Sequence, residues 1–323
     1  MRFLILLFLL ICVNIIDAKN QVLLPSDTID FDKRKQILTL GTIGLYSAAS
    51  TGLYFAWYKQ YDQEAFHFFN DWGEWNNMDK AGHSYATYTQ VLLLHKGAQW
   101  AGYENQKALN MSVLGALIFQ NTFEIMDGFS RGWGFSLGDF TANIFGASSF
   151  YFQQKYWGEQ KVKFKFSYAP VEYSSELLSS ESGLFSTSPK ARAEALYGKN
   201  PLERLLKDYN GQTYWLSFDI RSIIDKEIWP SWMNLAIGYG SENIYGANNN
   251  SWEINDERTV ISEAKYPRYK KFVLALDYNL GKIRTKNKFS RTILDLLDVL
   301  KWPAPAIEYR TNNTWHFSLL FLH

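Results

Sequence analysis

A strict alternation of apolar and polar residues in the second half of the chain most constrains its fold. Six segments repeat this alternation, and they begin near Val162, Tyr214, Met233, Phe272, Ile307 and Trp315. Successive side chains of a strand point to opposite faces, so a period of two predicts strands with one buried and one solvated face. The pattern therefore predicts an antiparallel β-rich region of about six strands, arranged as a sheet or a small barrel.

The first half instead predicts helices. Four segments have helical length and apolar content, namely Gln36–Tyr58, Asp79–Gln99, Lys107–Asp127 and Ser136–Tyr156. Ser136 is predicted to cap the last helix, because a hydroxyl before a helix accepts hydrogen bonds from its first N–H groups. Short connections between consecutive helices are typical of an antiparallel four-helix bundle.

These two patterns together predict an α+β protein of three parts. Residues 1–18 form a signal peptide, residues 19–160 a helical domain, and residues 161–323 the antiparallel β-rich region. Two short helices, Pro189–Lys207 and Ser290–Leu300, are expected between the strands of the last part.

The signal peptide is predicted from its composition. Arg2 is followed by an almost wholly apolar run, and the small residue Ala18 suits a cleavage site. A lipoprotein anchor at Cys12 is the alternative, although bulky Ile11 stands where a lipobox requires a small residue. Cleavage after Ala18 would leave a chain without cysteine, which excludes disulfides, thiol nucleophiles and thiolate metal sites.

Charge and aromatic content limit the partners of the protein. Lys+Arg number 33 and Asp+Glu number 32, and no basic tract suggests nucleic acid. The 12 Trp, 20 Tyr and 23 Phe suit a membrane interface, a carbohydrate-facing surface, a β-rich fold or simply a large aromatic core. The segment Gln36–Tyr58 has no charged residue and is long enough to span a bilayer, but a buried helix of a bundle would read the same way.

Three of the predicted helices carry polar residues at positions that share a face. Residues three or four apart lie on one side of a helix. The pairs that follow this spacing are Asp79 with His83, Glu124 with Asp127, and Asp139 with Asn143. Lys80 and Ser136 stand beside them. Such groups are costly to bury unless they pair with one another or serve a function, so the pattern predicts one polar site.

The order of these motifs resembles a known family. Asp79-Lys80-x-x-His83, Glu124, Ser136-x-x-Asp139 and Ala142-Asn143-x-x-Gly146 are similar to the pattern of the YfiM-like family of predicted periplasmic lipoproteins. A more distant resemblance is to the VanZ-like membrane proteins, which are linked to glycopeptide resistance. The resemblance covers roughly residues 60–156 and implies an envelope setting and shared site residues. It implies no reaction, and it leaves the β-rich region unexplained.

The site residues allow three interpretations. Asp79, His83, Glu124 and Asp139 are candidate catalytic residues for general acid–base hydrolysis, and the same four could bind a divalent cation. The third interpretation is a structural network, in which Lys80, Asp127, Ser136 and Asn143 also take part or bind a ligand. The sequence specifies neither a metal nor another cofactor.

The sequence thus predicts an exported protein of the periplasm or outer membrane of a Gram-negative-type envelope. We expect a membrane-associated structural or interaction component whose partner is the membrane or an envelope lipid, with a protein as the other option. The alternative is a hydrolase or transferase that acts on an envelope lipid or a cell-wall precursor. Whether the protein is an enzyme stays open at this point.

Overall fold

The computed structural model describes residues 30–55, 62–180, 182–222, 224, 228–254 and 257–322. The predicted signal peptide and Cys12 lie outside these residues, as do positions 56–58 of the segment Gln36–Tyr58. The described residues contain seven α-helices, twelve strands and a six-stranded antiparallel sheet, which confirms the mixed α and β composition. They divide into a helical unit, up to residue 71 and over 83–160, and a sheet unit, over 72–82 and from residue 161.

The helical unit contains the four predicted helices. Their bounds are α1 Phe31–Leu53, α2 Met78–Trp100, α3 Asn105–Gly128 and α4 Leu137–Trp157. Two short strands, β1 (Phe68–Phe69) and β2 (Phe135–Ser136), pair in parallel before α4. Asp30 caps α1 and Ser136 caps α4, each by accepting a backbone N–H three residues on, which confirms the predicted cap at Ser136.

The predicted four-helix bundle does not form as a clear bundle. A bundle helix needs one apolar stripe to face its neighbours. Here large apolar side chains also lie on the solvent side of α1, α3 and α4, including Leu40, Ile43, Leu114, Ile118, Phe145 and Phe152. Helix α4 packs on α3 and, at Gly146, closely on α2. When apolar residues lie on several sides of a helix, the sequence predicts the helix but does not define which side packs on a neighbouring helix.

Helix α1 begins five residues before the segment Gln36–Tyr58, the candidate membrane span, and covers its first 18 residues. Thr, Ser and Gly residues alternate with its aliphatic ones and lower its mean hydropathy. Among the residues that the structure describes, no helix is both long enough and apolar enough to cross a bilayer.

All six predicted strands join one antiparallel sheet in the sheet unit. They are β3 Val162–Tyr168, β6 Gln212–Phe218, β7 Met233–Glu242, β10 Tyr269–Tyr278, β11 Ala304–Arg310 and β12 Thr314–Phe321. Their order across the sheet is β12-β11-β10-β7-β6-β3. The hairpins β4–β5 (Leu178–Ser179 with Ser186–Thr187) and β8–β9 (Ser251–Ile254 with Glu257–Val260) form two further small sheets.

The register aligns the large apolar residues of the sheet in rows on one face. Leu274 of β10 pairs with Ile237 on one side and with Ile307 on the other. Phe317 of β12 continues this row. The neighbouring row is aromatic and consists of Tyr239, Phe272, Tyr309 and Trp315. We call these two rows, with Leu319 of β12, the apolar face of the sheet.

The apolar face is exposed across strands β7, β10, β11 and β12, whereas the alternation predicts that the large apolar side chains are buried. Trp315, Phe317 and Leu319 are 69%, 68% and 70% exposed. The opposite face is buried and has a small apolar centre, made of Trp215, Ala236, Val273, Ala275, Ala306 and Phe321. Polar and charged residues flank this centre, among them Lys165, Ser217, Lys271, Asp277 and Glu308. The expected sides are therefore reversed on β7, β10 and β11, because there the polar set is the one that finds partners inside. On the edge strand β12, Trp315 and Phe317 of one face and His316 of the other are all exposed.

Two details of the sheet unit also differ from the sequence prediction. The predicted helix Pro189–Lys207 is two helices, α5 (Pro189–Tyr197) and α6 (Pro201–Lys207). Gly198 has φ +85° and interrupts them, and Asn200 then caps the second. Helix α7 spans Lys288–Leu297.

The strand that follows α7 contains Pro305, and proline is mostly confined to edge strands because it cannot donate a backbone hydrogen bond. Instead β11 pairs with both β10 and β12. Pro305 sits where the register with β12 shifts, between Ala304 and Ala306. An irregularity in the ladder tolerates a residue that cannot donate a backbone hydrogen bond, so proline is accommodated in an inner strand.

The segment before α2 is anchored within the sheet unit. Trp75, Asn76 and Asn77 all have positive φ, of 51°, 53° and 60°. The Asn76 side chain donates to Ser241 Oγ at 2.7 Å and accepts from Arg268 Nε at 3.2 Å. Left-handed backbone at non-glycine residues is unfavourable, and these contacts hold it in place. The first turn of α2 is accordingly grouped with the sheet unit.

Candidate functional site

Residues from α2, α3 and α4 meet at the imidazole ring of His83. Its Nδ1 lies 3.1 Å from Asn143 Oδ1 and 3.5 Å from Glu124 Oε1. Its Nε2 lies 3.7 Å from Asp139 Oδ1. Four of the residues predicted from the sequence are thus within reach of one another, and we call them the His83 cluster.

The carboxylates of the His83 cluster are buried. Glu124 is 1% exposed and Asp139 is 5% exposed, while 15% of the His83 side chain remains accessible. A carboxylate that loses its water requires a positive charge or hydrogen-bond donors in return. The imidazole lies between the two carboxylates, so a proton or a metal ion on the ring would stabilise both.

The amide of Asn143 orients the ring. Its Nδ2 donates to Asn121 Oδ1 at 3.4 Å, which turns its Oδ1 toward His83. The Thr87 hydroxyl, one turn after His83 on α2, also lies within 3.0 Å of this oxygen. With Nδ1 protonated, the ring donates to Asn143 and directs the lone pair of Nε2 to the side of Asp139. Thr87 and Asn121 were not predicted from the sequence, although both stand three or four residues from a predicted site residue.

Close packing of α2 on α4 brings the cluster together. A Cβ atom added to Gly146 would lie 2.2 Å from the backbone oxygen of Ser84. The Ser84 hydroxyl donates to the carbonyl of Ala142 at 3.2 Å. Only glycine permits this approach, so the Asn143-x-x-Gly146 spacing fixes the distance between the helices.

Ser136 has a structural position at the start of α4. Its Oγ accepts from the Asp139 backbone N–H at 2.9 Å and donates to Asp71 Oδ1 at 2.6 Å. It thereby sets where α4 begins and holds Asp139 in the first turn.

Asp127 lies at the other end of α3, in its last turn. Its side chain is half-buried, and its backbone carbonyl accepts from the N–H of Ser130 at 2.9 Å. This bond closes the turn that follows α3, and the role of the Asp127 side chain stays a prediction.

Asp79 and Lys80 lie in the first turn of α2. Tyr209 donates its hydroxyl to Asp79 Oδ1 at 2.9 Å, and Lys80 Nζ lies 3.6 Å from Asp79 Oδ2. Within the helix, a carboxylate oxygen of Asp79 comes within 4.8 Å of a ring nitrogen of His83. The predicted sharing of a face by these two residues is therefore found.

The sheet unit buries a second set of charges, which the sequence analysis did not single out. Lys165 Nζ lies 2.8 Å from Asp277 Oδ2 and 2.7 Å from Asp298 Oδ1. Lys163 Nζ lies 2.5 Å from Asp298 Oδ2, and Lys301 Nζ lies 3.8 Å from Asp277 Oδ1. We call these five residues the lysine network. The network could have been predicted from the charged residues that alternate with apolar residues in β3 and β10.

Burial and neighbouring charges have opposing effects on pKa values in the lysine network. Burial lowers the pKa of Lys301 to about 8, and the neighbouring Asp277 only partly offsets this effect. Burial would raise the pKa of Asp298, but the charges of Lys163 and Lys165 outweigh it and hold that pKa below its usual value. The charges of Lys163 and Lys165 therefore stabilise the ionised form of Asp298, whereas burial disfavours the ionised form of Lys301.

The His83 cluster has a different chemical capacity. It combines an imidazole with two carboxylates and an amide at spacings of 3.1 to 3.7 Å. These groups suit proton transfer or the binding of a divalent cation.

The helical part of this site matches a known family model. Residues 67–155 match the family described as "Predicted periplasmic lipoprotein (DUF2279)". This range holds the whole His83 cluster and is close to the range of the resemblance seen in the sequence. The match supports the resemblance to predicted periplasmic lipoproteins over this part of the chain. The match does not support the YfiM name or the resemblance to VanZ-like proteins. No curated protein and no solved structure matches the chain.

Proposed function

We propose that this chain is a membrane-associated component of the cell envelope that acts by holding structures together rather than by catalysis. The family description, a predicted periplasmic lipoprotein, is in keeping with an exported protein. The observation that carries the proposal is the exposed apolar face of the sheet. Its occupant would be the acyl chains of an envelope membrane.

The apolar face is too continuous to be a scatter of surface residues. Single exposed apolar side chains are common on soluble proteins, whereas contiguous apolar patches mark binding surfaces. Here four strands contribute paired residues to two adjacent rows, with Leu274 and Ile307 at the centre of one row. Burying one such side chain contributes about 1.5–3 kcal/mol, so a few of them suffice for stable attachment.

The order of the two rows favours a lipid over a protein as the occupant. The turn between β11 and β12 is polar, with the sequence Thr311-Asn312-Asn313. The aromatic row, with Tyr309 and Trp315, lies next to this turn, and the row of Ile307 and Phe317 follows one step further along the strands. Polar, then aromatic, then aliphatic is the order in which a membrane presents its water, its interface and its hydrocarbon.

The buried charges fix which face of the sheet is apolar. Exchanging the two faces of a strand would expose the apolar centre and carry residues such as Lys165 and Asp277 outward. Their mutual pairing inside keeps the apolar rows outside. The lysine network thus stabilises the observed arrangement, in which the large apolar side chains are exposed.

In this proposal the His83 cluster serves the helical unit as a polar network between helices. It joins α2, α3 and α4 through one ring. Such a network selects one packing arrangement of the three helices, which their apolar residues alone do not define.

A hydrolase or transferase is the second candidate, and one observation favours it. A carboxylate faces each ring nitrogen of His83, and part of the ring is accessible. One carboxylate could activate water while the imidazole transfers the proton. Under this alternative, Glu124→Gln would abolish turnover of an envelope lipid or cell-wall precursor while the protein stays folded.

Vesicle flotation of the full purified chain tests the membrane proposal. We expect it to float with vesicles of phosphatidylethanolamine and phosphatidylglycerol. The double substitution Leu274→Asn and Phe317→Asn should lower the partition coefficient at least tenfold, since two apolar side chains are lost from the contact.

The matched control is Leu202→Asn, which changes an exposed leucine of α6 outside the apolar face. It should leave flotation unchanged. Equal flotation of the double variant and the wild type, or a wild type that stays in the soluble fraction, would refute the proposal.

A further inference from the structure

We propose that the His83 cluster is a binding site for a divalent transition-metal ion, with His83 Nε2 and an Asp139 carboxylate oxygen as ligands. This goes beyond the structural role proposed for the cluster and does not depend on the membrane contact of the sheet. The proposal rests on the spacing of the donor atoms, the orientation of the ring and the burial of the site.

The two donor atoms have a separation close to that required by one ion. Ligand bonds to Zn²⁺ measure about 2.0–2.2 Å for nitrogen and oxygen, which puts neighbouring ligand atoms roughly 3–3.6 Å apart. The distance from His83 Nε2 to Asp139 Oδ1 is 3.7 Å. A shift of a few tenths of an ångström would seat an ion between them.

The other side of the ring has the partners that a metal-bound histidine uses. In metal sites, the nitrogen that does not bind the ion donates its proton to a carboxylate or a carbonyl, which sets the tautomer. Here Nδ1 faces Asn143 Oδ1 at 3.1 Å and Glu124 Oε1 at 3.5 Å. Asn143 and Glu124 would therefore act as positioning residues, and Nε2 as the ligand.

A third ligand is available on the same helix as His83. Asp79 precedes it by one turn, and its carboxylate comes within 4.8 Å of the ring. Because a helix is a rigid element, this spacing does not depend on anything outside α2.

A buried amide adds an observation on α3. Gln120 is fully buried one turn before Glu124, and neither its side-chain oxygen nor its nitrogen has a hydrogen-bond partner among the described residues. Helical spacing puts it on the face of Glu124. A buried amide of this kind is costly unless it serves a bound group, and it could orient a water on the ion.

The mixed donor set points to the class of ion. Imidazole nitrogen is a good ligand for Zn²⁺ and its neighbours in the first transition row, and carboxylates add Mn²⁺. Mg²⁺ and Ca²⁺ prefer oxygen ligands alone. We therefore expect Zn²⁺ and Mn²⁺ to bind more tightly than Mg²⁺.

Calorimetric titration of the full chain, stripped with EDTA and then dialysed, tests the site with ZnCl₂ and MnCl₂. We expect one ion per chain, and a rise of about 5 °C in the midpoint of thermal unfolding at 100 times the dissociation constant. Asp139→Asn removes a ligand without changing shape and should weaken binding at least tenfold. Glu124→Gln should weaken it by about 10- to 100-fold.

His67→Gln is the matched control. His67 is a second histidine of the helical unit beside a carboxylate, with Nδ1 at 3.2 Å from Glu64, but this pair is more exposed. Its loss should leave the affinity unchanged. Binding that is abolished by His67→Gln, or that survives Asp139→Asn in a folded variant, would overturn the proposal, and so would a wild type that binds neither ion.

Electron spin-echo spectroscopy of the Mn²⁺-loaded wild type keeps the test independent of folding in the variants. A modulation from one imidazole ¹⁴N is expected, and a spectrum without nitrogen coupling would contradict the assigned ligand. The metal-binding result is independent of the vesicle flotation result. A protein that floats with vesicles can fail to bind metal, and a protein that binds metal can fail to float.

Discussion

Both units bury ionisable groups, but they do so in different ways. In the sheet unit, lysine nitrogens and aspartate oxygens of the lysine network stand 2.5 to 2.8 Å apart at their three closest pairs. In the helical unit, the two carboxylates stand 3.5 and 3.7 Å from the ring of His83. The first spacing is that of strong charge-assisted hydrogen bonds, and the second leaves room for a small ion.

The apolar surfaces of the two units also differ. On the sheet they form rows across four strands, set by the strand register, whereas on α3 they form a stripe along one helix, at Met111, Leu114, Ile118 and Ile125. The sheet unit thus combines a closed polar interior with an organised apolar surface. The buried charges of the sheet unit are thus paired with one another, while those of the helical unit have the wider spacing on which the proposed metal site rests.

The largest effect is expected from breaking the lysine network. Lys165→Met leaves buried Asp277 without its closest cation and Asp298 with Lys163 alone, and should lower the free energy of unfolding by about 3–5 kcal/mol. Urea denaturation measures this change. Lys199→Met, at an exposed lysine 4.0 Å from Glu194, should change it by less than about 0.5 kcal/mol. Similar values for both variants would show that the network is not structural.

The second-largest expected effect is a dependence of the free energy of unfolding on pH. The pKa of Lys301 is about 8 in the folded chain and about 10.4 in an unfolded one. Between these values the unfolded chain binds more protons, so stability should rise with pH, by at most about 3 kcal/mol. Lys301→Met should remove this rise, which denaturation at pH 7.5, 8.5 and 9.5 would reveal. A rise of the same size in the variant would assign it to another group.

A smaller loss is expected in the helical unit. His83→Gln removes the ring between Glu124 and Asp139, and should destabilise the metal-free protein by about 1–3 kcal/mol. Denaturation in EDTA measures this loss without a contribution from a bound ion. A destabilisation as large as that of Lys165→Met would erase the difference between the two clusters, and none at all would remove the structural role of the ring.

The secondary structure was predictable because it depends on local periods. Six alternating segments became six strands of one sheet, and four apolar segments became helices. The direction of the alternation was not predictable. The alternation places neighbouring residues such as Leu274 and Ala275 on opposite faces of the sheet, but only tertiary pairing decides which face is buried. Here the polar face is buried, because Lys165 reaches both Asp277 and Asp298.

The candidate site was predictable in part for the same reason. The spacing of Asp139 and Asn143 on one helix follows from the sequence, and their meeting with His83 was a correct expectation from polar residues on apolar helices. Asn121 was missed, because its partner Asn143 is on another helix. Ser136 stands at a helix end, where its hydroxyl is engaged by the cap.

The most direct test of the central claim, that the apolar face of the sheet contacts a membrane, is a label scan along β12. The chain holds one cysteine, Cys12, so a Cys12→Ser background permits single cysteines at positions 315 to 319. An environment-sensitive fluorophore at each position is then read in vesicles that carry a lipid-borne quencher. The account predicts quenching and a blue shift at Trp315→Cys, Phe317→Cys and Leu319→Cys, and neither at His316→Cys or Ser318→Cys. Equal signals at all five positions, or the opposite alternation, would contradict it.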